Sequence, residues 1–139
     1  MIPNWQAEIV DLHAFFTAWL AGDLPNTDAA FARCSSTMAP GCTMISPRGE
    51  LIERDDLLAS LRAAHGVRPD LRIWIERPVL RQASGDVLLV TYEEWQTERG
   101  VTTRRHSTAL FVTAPQTPYG LAWAHIHETW AKEQPHADA

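Results

Sequence analysis

Cysteine is scarce in this sequence. Cys34 and Cys42 are the only two in 139 residues, too few for the disulfide framework that small secreted domains rely on, and two free thiols suit a reducing compartment. Both read as small buried hydrophobes. Long apolar runs are missing as well, the longest being far shorter than the roughly 20 residues that cross a bilayer. The opening stretch MIPNWQAEIV has no basic segment followed by an apolar one, so no signal peptide and a cytoplasmic location are expected. Clustered positive charge is the third absence. With a net charge of −5 and Arg104-Arg105 as the one basic pair on the central strands, the chain offers no face for nucleic acid, whose phosphates need Lys and Arg side by side. There is no internal repeat and no low-complexity segment.

What is present is ordinary globular material: 45% hydrophobic residues, 21% charged and six tryptophans. A chain of this length forms one domain, here residues 1–139, and buries about two-thirds of the surface its unfolded state exposes. From Asn4 to Gly22 the apolar residues Trp5, Ile9, Leu12, Phe16, Trp19 and Leu20 recur every three or four positions, the stripe of a helix that Asn4 caps and Gly22 ends. A second helix follows Pro25, capped by Asn26 or Thr27, with Ala30, Phe31 and Cys34 inward. CTMISPRGELI reads as two short strands around a Pro47-Arg48-Gly49 turn. A third helix runs from about Arg54 to His65 on Leu57, Leu58 and Leu61, and Gly66 stops it.

The rest is strand. LRIWIERPVLRQ alternates before Pro78, which has no N–H and therefore belongs at an edge or a bulge. Three longer strands follow, DVLLVTYEEWQTE, TTRRHSTALFVT and LAWAHIHETWA, and residues 132–139 read as a frayed tail. Helices first and strands afterwards make an α+β domain with helices on one sheet face. Apolar residues on both faces of Val87–Val90, Ala109–Val112 and Leu121–Trp123 predict a cover for the second face too, most simply a homodimer through the outer sheet face.

This order of elements, with FFTAWLAGD in the first helix, SPRG in the hairpin and AHIHET in the last strand, resembles the nuclear-transport-factor-2-like superfamily and, within it, the SnoaL-like group. The resemblance covers nearly the whole chain. It implies a cone-shaped, cystatin-like fold in which three N-terminal helices pack on a curved antiparallel sheet, a mouth that binds small molecules, frequent homodimers, and activities ranging from isomerase, cyclase and dehydratase to association domains without catalysis. Steroid isomerases of this superfamily carry a catalytic aspartate just before the Pro-x-Gly turn and a tyrosine on the first helix. This chain has Ser46 and Phe15-Phe16 there, which argues against that activity. The arginine-lined pocket of the kinase association domains is not preserved either, since Tyr92, Ala109 and Glu128 stand at the matching positions.

Strand pairing selects the pocket residues. A two-residue turn at Arg99-Gly100 pairs Glu98 with Val101, Glu94 with Arg105 and Tyr92 with Ser107. The resemblance further implies Ala109 opposite Ala124, and so Arg105 opposite Glu128. One face then carries Glu94, Arg105 and Glu128, with Tyr92, Ser107 and Ile126 beside them. Arg105 is suited to grip a carboxylate or enolate, Glu94 or Glu128 to transfer protons, and Tyr92 to donate to an oxyanion. Phe16 and Met44 are expected on the pocket floor, with Ser107 and Ile126 as further ligand contacts.

No cofactor is expected, and the partners expected are a small organic molecule and a second copy of the chain, with neither nucleic acid nor membrane. The alternatives are a non-catalytic homodimerisation module in which the same charges knit strands together, and a metal site on the opposite face from His106, His125 and His127, beside Glu93. His13 reads as a packed helix residue with one hydrogen bond, and His65 as a helix-terminal one. Cys42 has no partner that would make it a nucleophile.

Overall fold

The computed structural model describes residues 2–134. The first two helices start where a side chain takes over an amide that has no helical partner. Asn4 accepts from the Ala7 amide at 3.1 Å to open α1 (Trp5–Ala21), and Thr27 accepts from Ala30 to open α2 (Asp28–Ser35), as N-caps do. Gly22 closes α1 at φ 83°. There the chain returns after α3 (Arg54–Ala63) and passes so close that a β-carbon on Gly22 would lie 3.2 Å from the Gly66 α-carbon. Only glycine fits that left-handed turn and that approach. The Trp19 indole donates to the Leu61 carbonyl at 2.7 Å and the Gly66 amide to the Trp19 carbonyl at 3.1 Å, so α3 is pinned to α1 although none of its own residues is fully buried.

The strands are β1 (Met38–Ile45), β2 (Leu51–Glu53), β3 (Arg72–Ser84), β4 (Val87–Glu98), β5 (Val101–Thr113) and β6 (Leu121–Trp130). They form one sheet in the order β2-β1-β6-β5-β4-β3. One pairing departs from the expected all-antiparallel sheet: β1 and β6 run parallel. The segment between them, with α3 and four strands, is long enough for the crossover a parallel pair needs. Pro78 lies on the edge strand β3 and inside a bulge, where the register shifts between Glu76 and Val79, which meets both conditions expected of it. Bulges bend the strands that carry them, and the sheet curves around α1.

The β4–β5 hairpin has the expected register at every named pair: Glu98 with Val101, Glu94 with Arg105 and Tyr92 with Ser107. Arg99 (φ 52°) and Gly100 (φ 77°) both take the positive φ of a two-residue turn matched to strand twist. The β5–β6 hairpin corrects the expected pairing. Ala109 faces Ile126 instead of Ala124, Glu128 faces Ser107, and Arg105 faces Trp130. One residue of the difference arises at the loop, where Ala114 donates to Gly120 and both Thr117 and Gly120 are held by further turns. The other arises at a bulge, where Leu110 pairs with His125 and Phe111 with Trp123, leaving Ala124 as the extra residue. Two residues is an even slip, so side chains keep their faces.

The core lies between α1 and the inner sheet face, around Trp19, Trp123, Phe111, Ile9 and Leu12, each 1% exposed or less. Phe111 and Trp123 meet edge to face at 4.5 Å between ring centres. Glu8, fully buried, receives the Trp123 indole at 2.9 Å and Arg33 at 3.1 Å, tying α1, α2 and β6 at the closed end. Cys34 and Cys42 are buried as expected, and burial pushes their thiols up to about 12 and about 11, which leaves neither as a nucleophile. Of the expected frayed tail, Gln134 is docked: its side chain accepts from the Arg104 amide and donates to the Arg104 and Ala131 carbonyls, each at 2.8 Å. The expectation for 135–139 lies outside the described residues.

Candidate functional site

α1, α3 and the inner sheet face enclose a cavity of about 190 Å³. Most of its wall is apolar and is given by helical and strand periodicity: Leu12, Phe16 and Leu20 from α1, Leu57 and Leu61 from α3, Met44 and Ile126 from β1 and β6. Phe16, Met44 and Ile126 thus line it where the sequence placed them. Ser107 does not. It is 1% exposed and sits behind Glu128, donating to Glu128 Oε2 at 3.0 Å; the two-residue register correction puts it directly across from that carboxylate.

One wall is charged. Tyr92, Glu94, Arg105 and Glu128 converge there, because β4 and β5 pair Glu94 with Arg105 and because Glu128 is the diagonal neighbour of Arg105 across β5–β6, still within reach of a long side chain. Arg105 donates to Glu128 Oε1 at 3.2 Å and stands 4.0 Å from Glu94 Oε2. Its guanidinium lies over the Trp130 ring, 4.6 Å from the centre. The fifth member is His13, which sequence reasoning took for a packed helix residue. Its Nδ1 lies 2.7 Å from the Ile9 carbonyl and its Nε2 3.0 Å from Glu94 Oε1. The signal that marks it is its place three residues before Phe16 and four after Ile9, inside the apolar stripe that faces the sheet.

The hydrogen bonds of His13 fix its charge. A carbonyl and a carboxylate both only accept, so both ring nitrogens donate and the ring is an imidazolium. Burial by itself lowers the His13 pKa, but the charge and hydrogen bond of Glu94 outweigh it and the net shift is upward. The same pair acts on Glu94. Burial raises its carboxyl, while His13, Arg105 and a hydrogen bond from Gln96 hold it down at about 2. Glu128 goes the other way. Burial first and the charge of Glu94 second lift it to about 7, against the pull of Arg105 and Ser107. Tyr92, raised well above its ordinary value by burial and then by the two carboxylates, stays a neutral donor. Two carboxylates that share one guanidinium are thereby pushed apart, one permanently ionised and one titrating near neutrality, which is how acid and base roles are set in a buried site.

The outer face is different. The corrected register sets His106 against Thr129 and His127 against Thr108, His125 bonds Thr43 Oγ1 at 2.7 Å, and Glu93 is held by Arg77 and Trp95. Among the described residues no three His, Cys, Asp or Glu side chains come together in a way that would hold a metal. Nor is any helix among them long and apolar enough to cross a membrane.

A curved sheet wrapped around a helix, with a cavity at its open end, defines an NTF2-like domain. A crystal structure of an NTF2-like protein of unknown function from Pseudomonas aeruginosa superposes with a TM-score of 0.82 at 28% identity, covering 91% of this chain and 98% of that one. The CaMKII hub homology domain of Chlamydomonas reinhardtii shares the fold at a TM-score of 0.63 and 17% identity, covering 88% and 94%. By sequence, the chain belongs to the sucrose-6-phosphate phosphohydrolase C-terminal family, which matches residues 5–132. Sucrose-phosphatase 1 of Nicotiana tabacum is 29% identical over 130 residues, 88% of this chain. The chain spans about 30% of the length of the curated relatives it matches.

Proposed function

We propose that this chain is a single SnoaL-like domain that binds a small organic molecule in its cavity and acts on it as a cofactor-free acid/base catalyst of the isomerase, cyclase or dehydratase type. The observation that carries this reading is the charged wall, in which Glu128 titrates near neutrality beside a fixed cation and a neutral phenol. As a carboxylate, Glu128 removes a proton beside a substrate carbonyl. Arg105 and Tyr92 stabilise the enolate that forms, and the proton held by Glu128 returns either to another carbon or to a departing hydroxyl. His13 and Glu94 keep the wall's charge fixed while this happens. Free, buried thiols support a reducing, cytoplasmic setting.

The native mass of the freshly purified protein tests binding. An organic adduct is expected and would identify the ligand, and a bare mass counts against an occupied pocket. With that ligand, Glu128→Gln is expected to lower turnover by at least about a hundredfold while still binding it, and unchanged turnover would remove Glu128 from the chemistry.

The second reading is a homodimerisation module. It is favoured by an outer sheet face that leaves Trp74 and Val79 each 38% and Val87 37% exposed, with Trp74 stacked on Trp95, and by the likeness to a hub homology domain. The same mass measurement reports it, with twice the chain mass expected and a monomer counting against a dimer through that face.

A further inference from the structure

The cavity opens into a groove whose chemistry is opposite to its own. The groove shares Arg68, Gln96 and Arg105 with the cavity and adds Ser46, Arg48 and Thr103. Arg48 is carried on the β1–β2 turn, which is braced: Ser46 Oγ accepts from both the Arg48 and Glu50 amides at 3.3 Å, and Gly49 at φ 84° closes it. Among the described residues the Arg48 guanidinium has no carboxylate partner. Arg68 is engaged by Glu98 through Nε and one terminal nitrogen, and its other terminal nitrogen has no hydrogen-bond partner among the described residues. Arg105 uses one terminal nitrogen on Glu128, while its Nε, buried with no hydrogen-bond partner among the described residues, faces Glu94 Oε2 at 4.0 Å. Three guanidiniums therefore border one groove, Arg48 and Arg68 with donors unengaged among the described residues, and Glu50 is the one carboxylate of the groove lining.

We propose that this groove is an oxyanion subsite, and that the ligand is an amphipathic organic acid whose carboxylate lies on Arg48, Arg68 and Arg105 while its apolar body fills the cavity behind them. This rests on the reading of the cavity as a ligand site. A guanidinium with two parallel free donors matches a carboxylate's two oxygens, and such charge-assisted pairs are stronger than neutral hydrogen bonds. The apolar walls select the body. Leu12, Phe16, Leu20 and Met44 offer nothing to the hydroxyls of a sugar, and the polar groups of the charged wall are engaged with one another through His13–Glu94 and Arg105–Glu128, so a sugar phosphate satisfies the mouth better than the apolar part of the interior.

Calorimetric titration of the full chain with octanoate, octan-1-ol and sucrose 6-phosphate separates these cases. Octanoate is expected to bind at least about tenfold more tightly than octan-1-ol, a difference of about 1.4 kcal/mol. The Arg48→Gln/Arg68→Gln double variant is expected to erase that advantage and leave octan-1-ol binding unchanged. Both side chains reach solvent, and thermal melting verifies that the variant is folded. Equal affinity for acid and alcohol, or octanoate binding that ignores the double variant, overturns the oxyanion subsite and leaves the cavity reading standing. Binding of sucrose 6-phosphate with neither eight-carbon ligand bound overturns the amphipathic acid. If none of the three binds, the cavity reading itself fails and this inference with it.

Discussion

Glu93 and Glu94 are adjacent in β4, both less than a tenth exposed, and they live by different rules because they point to opposite faces of the sheet. Glu93 faces outward, where Arg77, two-thirds exposed, and the Trp95 indole hold it at 2.6 and 3.0 Å and bring its pKa somewhat below the ordinary value despite partial burial. Glu94 faces the cavity, and its ionised form depends on His13 and Arg105. Water can replace a lost partner on the first face. On the second, each charge is paired by protein or gives way to protonation, and Glu128 shows the latter. On the inner face charge is held by protein partners, and on the outer face it is shared with water.

Removing a partner breaks that comparison most directly. Glu94→Ala leaves the His13 imidazolium buried without its counter-charge, and loss of one member of a buried pair costs about 3–5 kcal/mol, on the order of 10–20 °C in melting temperature for a chain of this size. Glu93→Ala removes a contact to a largely exposed arginine and is expected to cost about 1 kcal/mol or less. Thermal unfolding of the two variants side by side is the check. Equal losses would mean that the two faces do not differ in the way their contacts indicate.

The next effect is in pH, and its sign follows from protons bound. Folded Glu128 holds its proton up to about 7, where the unfolded chain releases it near 4.5, so its contribution is complete below 4.5 and is lost as pH rises through 7. The raised His13 works in the same direction above its ordinary value. Glu94, held at about 2, works in the other: its contribution is complete above 4.5 and is lost as pH falls toward 2. Stability is expected to peak near pH 5 and to decline toward pH 8 by on the order of 3 kcal/mol. Glu128→Gln, which has no proton to release, should flatten that decline and leave the variant more stable than the parent at pH 8. Denaturant midpoints at pH 5 and 8 decide it, and a parent that is equally stable at both would show that Glu128 is ionised like any surface carboxylate.

How much of this was legible in the sequence depended on whether the deciding contact was local. Asn4, Gly22 and Pro78 act on backbone within a few residues of themselves, and each was placed, while Thr27 was one of two candidates for the cap it makes. Arg99-Gly100 admits one tight turn, so the register of β4–β5 followed from two residues. The β5–β6 register did not follow, because it is set by turns within residues 114–120 and by a bulge at Ala124 that no residue type announces. Glu94, Arg105 and Glu128 were still brought to one face because the slip was even; an odd one in this hairpin would have exchanged Glu128 for His127 beside Glu94 and Arg105. Ser107 moved from beside the cavity to behind Glu128 through that same slip. His13 was missed for a different reason: its partner Glu94 lies 81 residues away, and nothing near it in sequence reveals a charge waiting across the core. The parallel pairing of β1 with β6, and Gln134 on β5, are long-range in the same sense.

The smallest effect is expected where the sequence offered its most suggestive spacing, His125-x-His127. His127 is exposed and its ring lies 6.4 Å from that of His125 between centres, while His125 already spends Nδ1 on Thr43. His106, on the next strand, faces Thr129 and not His127. A strand places alternate residues on one face, but a metal needs three or four donors at about 2 Å from a single point, and the even register slip that preserved the inner cluster separates the outer one. His106→Ala and His127→Ala are each expected to change stability by about 0.5 kcal/mol or less, and added zinc is expected to leave the melting temperature where it was. A zinc-dependent rise that both substitutions abolish would mean that the outer face, too, closes around a charge.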